Sequence, residues 1–220
     1  MIGIAKGLAA SLIGGMLLAG GALAEAATFT DNTFGSVDSG SFDRAIVVAG
    51  VGTISSVRVF VDFSKCDDPN PGPAATGCIG TGSSFNNEIQ LQLISPEDTV
   101  VTLVAFNTYP NNGLEGARIE VLFDDNAATE VGGGALLDGT FSPVGSLSDF
   151  IGEDADGAWA LRVADGAGGD PLQLYGVTLC INEQGECAGV APPPPGVPAP
   201  ASLLLLGLGL TSLGWIRRRI

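Results

Sequence analysis

Through the middle of the chain, apolar and polar residues take turns. Val57, Val59, Val61 and Phe63 alternate with Ser56, Arg58, Phe60 and Asp62. Ile89, Leu91 and Leu93 alternate with Glu88, Gln90 and Gln92, and Trp159, Leu161 and Val163 with Ala158, Ala160, Arg162 and Ala164. Leu172 and Leu174, then Val177, Leu179 and Ile181, form a last pair of runs. A period of two places successive side chains on opposite faces of a strand. Turn-rich stretches such as Pro69-Asn70-Pro71-Gly72 and Asn111-Asn112-Gly113 separate the runs. No window carries the i, i+3, i+4, i+7 stripe of an amphipathic helix. Short strands with one dry and one wet face predict an all-β, antiparallel sandwich, its two inner faces packed about 10 Å apart.

The two ends follow other rules. Residues 1–26 hold Lys6, an apolar run from Leu8 to Leu23 and small residues beyond it. Ala22-Leu23-Ala24 fits the A-x-A pattern cut by signal peptidase, with Ala24-Glu25-Ala26 as a second option, so cleavage is expected after Ala24 or Ala26. Gly14-Gly15 and Gly20-Gly21 weaken the competing reading as a buried helix by about 1 kcal/mol each. At the far end APPPPGVPAP, residues 191–200, predicts a semi-rigid polyproline spacer, with the linker proper at 189–198. Ala199 to Ile216 are 18 residues without a charge. As a helix they span about 27 Å, close to the hydrocarbon thickness of a bilayer. Arg217, Arg218 and Arg219 would stop transfer on the cytoplasmic side.

Spacer, Val197-Pro198-x-Pro200, short apolar helix and arginine cluster together resemble the PEP-CTERM sorting signal of exopolysaccharide-producing bacteria, over residues 197–220. Family members mostly carry Glu where Ala199 stands. The resemblance implies passage through the inner membrane, processing by an exosortase-type enzyme, and release to the cell surface or extracellular matrix.

Charge and cysteine usage fit an exported body. The chain has 9 Lys+Arg against 24 Asp+Glu, and four of the basic residues (Lys6, Arg217, Arg218, Arg219) lie in the terminal segments. Such a surface repels phosphate backbones, so no nucleic-acid partner is expected. There is no histidine, which removes Ser-His-Asp and Cys-His catalysis and His-ligated zinc. Cys66 and Cys78 bracket one turn-rich segment, and Cys180 and Cys187 another. Two local disulfides are the simplest of the three connectivities open to four cysteines.

Within residues 27–188, LISPEDTVVTL, VLFDDNAATEV, GTFSPVGSLSDFIGEDADGAWALRVAD and GDPLQLYGVTL occur in order. Together they resemble the P domain (P/Homo B) that follows the catalytic domain of subtilisin-like proprotein convertases. The positions that carry the resemblance begin with Leu93, Ser95, Pro96 and Thr99, then Phe123, Asp124, Asp125 and Ala127. They continue with Gly145 to Ser148, Phe150, Gly152 and Glu153, and then Gly157, Trp159, Leu161, Val163, Asp165, Gly169 and Asp170. The family's His and Gly-Asp-Leu before the Leu-x-Ser-Pro strand are missing, and Glu88 stands at the Gly-Asp position. The resemblance implies a jelly-roll-like sandwich without the protease domain it normally accompanies.

Carboxylates are the remaining chemistry. Asp124-Asp125 and Glu153-Asp154-Asp156 could pair as acid and base, but they sit in Asp/Gly-rich turns, where carboxylates more often cap amides or bind calcium. Asp62, Glu88, Asp124 and Asp125 are the candidate calcium ligands, expected to converge at one edge if the strand order is that of the P domain. Glu97-Asp98 reads as a hairpin tip, and Trp159 as core rather than a sugar-stacking platform. No catalytic residue is assigned. The expectation is a non-enzymatic module that contacts matrix polysaccharide or surface proteins, or alternatively an accessory of a secreted subtilisin-like serine protease.

Overall fold

The computed structural model describes residues 25–67, 72–74, 78, 84–110, 116–185 and 187. The predicted signal peptide, the proline-rich linker and the sorting segment with Val197, Pro198, Pro200 and Arg217 to Arg219 lie outside the described residues, as does Ala24. Among the described residues no helix is long and apolar enough to cross a membrane.

Among the described residues ten strands make two sheets. They are β1 (Ala27–Asp31), β2 (Gly35–Val37), β3 (Gly40–Val48), β4 (Val57–Lys65), β5 (Ile89–Ile94), β6 (Val100–Val104), β7 (Ala117–Phe123), β8 (Gly139–Phe141), β9 (Gly157–Asp165) and β10 (Leu172–Ile181). One sheet runs β1-β10-β4-β7-β8, with β2 also on β10; the other runs β3-β9-β5-β6. The expected sandwich is therefore present, with one correction to the uniformly antiparallel reading. β8 lies parallel to β7, Val121 opposite Gly139 and Phe123 opposite Phe141. Residues 124–138 carry the chain back to the level of Val121, the kind of long crossover that a parallel pair requires.

The alternating residues meet between the sheets. Val59, Val61 and Phe63 of β4, Val121 and Phe123 of β7, and Val177, Leu179 and Ile181 of β10 face Leu91, Leu93, Trp159, Leu161 and Val163 in one buried cluster. The split in the last apolar run is a β-bulge between Leu174 and Gly176, which shifts the register against β4 and lets one strand carry both halves. Gly157 opens β9 at φ +144°, and a Cβ there would come within 2.7 Å of Pro96, so the turn before the tryptophan strand admits only glycine.

Both disulfides are the local pairs, Cys66–Cys78 and Cys180–Cys187, with Cα separations of 5.4 and 5.7 Å. They lie over the outer face of the β4-β7-β10 sheet. Cys180 and Cys187 bury Phe60 and Leu122 on that face, which explains a phenylalanine at a polar position of the alternation. Gly72, inside the other loop, accepts a hydrogen bond from the Tyr175 hydroxyl at 3.4 Å. Replacing Cys66 and Cys78 with serine should lower stability by about 3 kcal/mol from loop entropy, read as a shift in the urea midpoint with the slope unchanged.

Candidate ligand cleft and the acidic residues

At one end of the sandwich β4 begins while β7 and β10 end. Loops leaving these strands enclose a cleft of about 400 Å³ lined by Ser55, Ser56, Val57, Arg58, Asp124, Asp125, Asn126, Leu147, Ser148, Ile151, Glu183 and Gln184. Its size is that of a small-molecule site, and its lining sets hydroxyl, amide and carboxylate groups beside nearly as much apolar surface, with Val57, Leu147 and Ile151 among the lining residues.

Two residues build the walls. Asn182 follows β10 in the left-handed conformation (φ 58°), which asparagine tolerates better than most residues. Its Oδ1 accepts from the Ser55 N–H at 2.6 Å, the Ser55 hydroxyl at 2.8 Å and the Ser56 N–H at 3.3 Å, and its Nδ2 donates to the Thr53 carbonyl at 3.1 Å. Opposite, Asp125 accepts from the Ser146 hydroxyl at 2.9 Å and from the N–H groups of Leu147 and Ser148 at 2.9 and 2.8 Å. It thereby pins the 3₁₀ turn Leu147–Phe150, whose Leu147 and Phe150 are buried. Sequence reasoning passed over Asn182; a lone asparagine directly after an apolar strand is the signal that could have marked it.

The remaining polar groups are less occupied. Asp124 Oδ1 caps the Asn126 backbone and side-chain N–H groups at 2.8 and 3.1 Å. Asp124 Oδ2 and the Glu183 carboxylate meet no donor among the described residues. Arg58 donates from Nη2 to the carbonyls of Glu183, at 3.1 Å, and Gly185.

The four candidate calcium ligands do not converge. Asp62 points outward from the middle of β4, bound through both oxygens to Arg118 at 2.9 and 2.7 Å. It pairs in register with Glu120, so Asp124 lies about 13 Å further along β7. Glu88 belongs to the opposite end, where Lys65 turns inward at the last position of β4. The Lys65 ammonium is fully buried, 2.8 Å from Asp165 Oδ1 and 3.3 Å from both Glu88 Oε2 and Asp170 Oδ2. Glu88 thus faces a cation, but the cation is a lysine. Among the described residues no group of three Cys, Asp or Glu side chains is arranged to hold a metal ion. The Glu153-Asp154-Asp156 turn is engaged with its neighbours: Asp156 accepts from the N–H groups of Gly50 and Val51 at 2.9 Å each, and Glu153 from the Thr99 hydroxyl.

Burial raises the pKa of both Asp165 and Glu88 above the ordinary carboxylate range, with Lys65 opposing it. A group raised in the folded state contributes stability that is full below its unfolded pKa and is lost as pH rises through the folded value. Glu88→Gln removes that titration while keeping a polar side chain. As pH rises from about 4 through the raised folded-state pKa, wild type should therefore lose stability relative to Glu88→Gln, measured as the difference between their melting temperatures. A constant difference would contradict the sign.

All five basic side chains of the described residues are held internally. Besides Lys65, Arg118 and Arg58, Arg162 grips Asp43 through two bonds of 2.9 Å, and Arg44 donates to the Phe34 carbonyl at 3.3 Å. Compared with known proteins, the chain matches no family model and no curated protein.

Proposed function

We propose that the chain is an exported, non-catalytic protein of the bacterial surface or exopolysaccharide matrix, with a P-domain-like, jelly-roll-like sandwich as its binding module. The reading rests on the end cleft, where Ser55, Ser56, Asn126, Gln184 and Asp124 offer hydroxyl, amide and carboxylate partners to a hydroxyl-rich ligand. Asp125, Glu153 and Asp156, members of the two candidate acid–base groups, each accept hydrogen bonds from neighbouring turns, which supports contact rather than turnover. Local disulfides suit an oxidising compartment. Delivery follows from the sequence of the two ends: export by residues 1–26 and exosortase-type processing directed by residues 197–220.

Fractionating the producing cells and their matrix, then identifying the mature termini by mass spectrometry, tests delivery. The expected product begins after Ala24 or Ala26, lacks Arg217 to Arg219 and is retained by extracted matrix polysaccharide. A protein still ending at Ile220 in the inner membrane would overturn the sorting reading. Co-purification with a secreted subtilisin-like protease, without retention by polysaccharide, would favour the accessory role.

A further inference from the structure

A lysine lies where the core rows of the two sheets meet. Lys65 ends the inward row Val57, Val59, Val61 and Phe63 of β4, and Asp165 ends the inward row Trp159, Leu161 and Val163 of β9. Both side chains are fully buried, and Lys65 Nζ stands 2.8 Å from Asp165 Oδ1. Glu88 Oε2 and Asp170 Oδ2 are each 3.3 Å from the same nitrogen. Three carboxyl groups therefore share one amine where charge is costly, and burial holds Asp165 and Glu88 toward their protonated forms. Asp165 is fixed by its other oxygen, since Oδ2 accepts from the Leu172 N–H at 3.1 Å. Amine and carboxyl are thus held near the roughly 3–3.5 Å approach at which an intramolecular reaction gains its largest advantage.

We propose that Lys65 and Asp165 condense into an amide, a covalent cross-link between the end of β4 in one sheet and the end of β9 in the other. The ion cluster is the state of the freshly folded chain, and the bond follows from it without a co-reactant. The Lys65 ammonium passes one proton to Asp165 Oδ1, leaving a free amine beside a neutral carboxyl. Nζ attacks Cγ, and the Leu172 N–H steadies the charge that gathers on Oδ2. Glu88 takes a second proton from the nitrogen and returns it to Oδ1. The Nζ–Cγ bond forms, the Cγ–Oδ1 bond breaks, and Oδ1 departs with both protons as water. The third proton stays on the amide nitrogen, where Asp170 or Glu88 accepts it. Two buried charges become one neutral, hydrogen-bonded group, which removes the desolvation cost of the ion pair. Asp165 precedes Gly166, but the Gly166 N–H donates to the Glu88 carbonyl at 3.0 Å, so the nearest rival nucleophile is occupied. The reaction happens once in each molecule and does not rest on the cleft.

The test is the mass of the mature exported protein, fresh and after prolonged incubation near neutral pH, followed by peptide mapping under reducing conditions. The aged protein should be one water lighter than its termini and two disulfides require, with Lys65 and Asp165 in one branched peptide that survives reduction. Lys65→Arg keeps the cation and should retain the full mass. Glu88→Gln should slow the water loss by on the order of 100-fold, the scale of a lost proton relay. The wild-type map decides the matter even where a variant fails to fold. Aged wild type at full mass, with trypsin still cutting after Lys65, would overturn the cross-link. So would a water loss confined to Asp165 and Gly166, the sign of a succinimide, or one that proceeds unchanged in Lys65→Arg. Equal rates in wild type and Glu88→Gln would overturn the relay assigned to Glu88.

Discussion

Lys65→Met should cost about 3–5 kcal/mol at neutral pH, read from urea unfolding. The substitution leaves Asp165, Asp170 and Glu88 facing one another without the ammonium that answers them. Asp165 and Asp170 are almost fully buried, and Asp170 Oδ1 already lacks a hydrogen-bond partner. Removing one partner of a buried ion cluster costs far more than the cluster itself is worth, because the remaining charges stay out of water. The loss should shrink in acid, where the carboxyls take up protons and the unanswered charge disappears. A loss below about 1 kcal/mol, or one that does not change with pH, would mean that the lysine is not the counter-charge of this end.

Trp159→Ala should cost a further about 3–5 kcal/mol in its own background, again by urea unfolding. Trp159 is fully buried among the inner-face residues. Its indole N–H donates to the Ala155 carbonyl at 2.9 Å, and its ring meets Phe150 edge-on at 5.0 Å. The alanine variant loses the largest side chain of the core and its only polar anchor, and opens a cavity that close-packed strands cannot fully collapse. If Trp159 instead served as a platform for sugar, stability would hold and ligand binding would vanish. That outcome would overturn the placement.

The strands that could be read in advance were those that follow the period of two over a long enough stretch. β4, β5, β9 and β10 each place a run of Val, Leu or Ile on one face. β2 and β8 are three residues each, too short for any period to show. β3 hides its inner row because Arg44 stands in line with Phe42, Ile46 and Val48. Lys65 has the same effect at the end of β4: a lysine reads locally as the place where burial stops, and its partners Asp165 and Asp170 lie about a hundred residues on. The candidate ligand set mixed two kinds of residue for the same reason. Asp124 and Asp125 do sit side by side in the cleft, as adjacent positions must, whereas Asp62 and Glu88 had their cationic partners fixed by pairings invisible in the local pattern. Loop walls were least legible, since what Asn182 does depends on where Ser55 and Ser56 arrive.

The two sulfur staples share one face of one sheet, yet they stand at opposite ends of it. Lys65, next to Cys66, pairs with Leu172, while Cys180 pairs with Arg58. Eight residues of β10 separate those positions, about 26 Å of strand, against the roughly 7 Å limit on Cα separation across a disulfide. Once β4 and β10 have zipped together, a crossed bond between Cys66 and Cys180 is out of reach. Oxidation that follows folding therefore cannot join Cys66 to Cys180, and the sheet acts as its own ruler against that pairing.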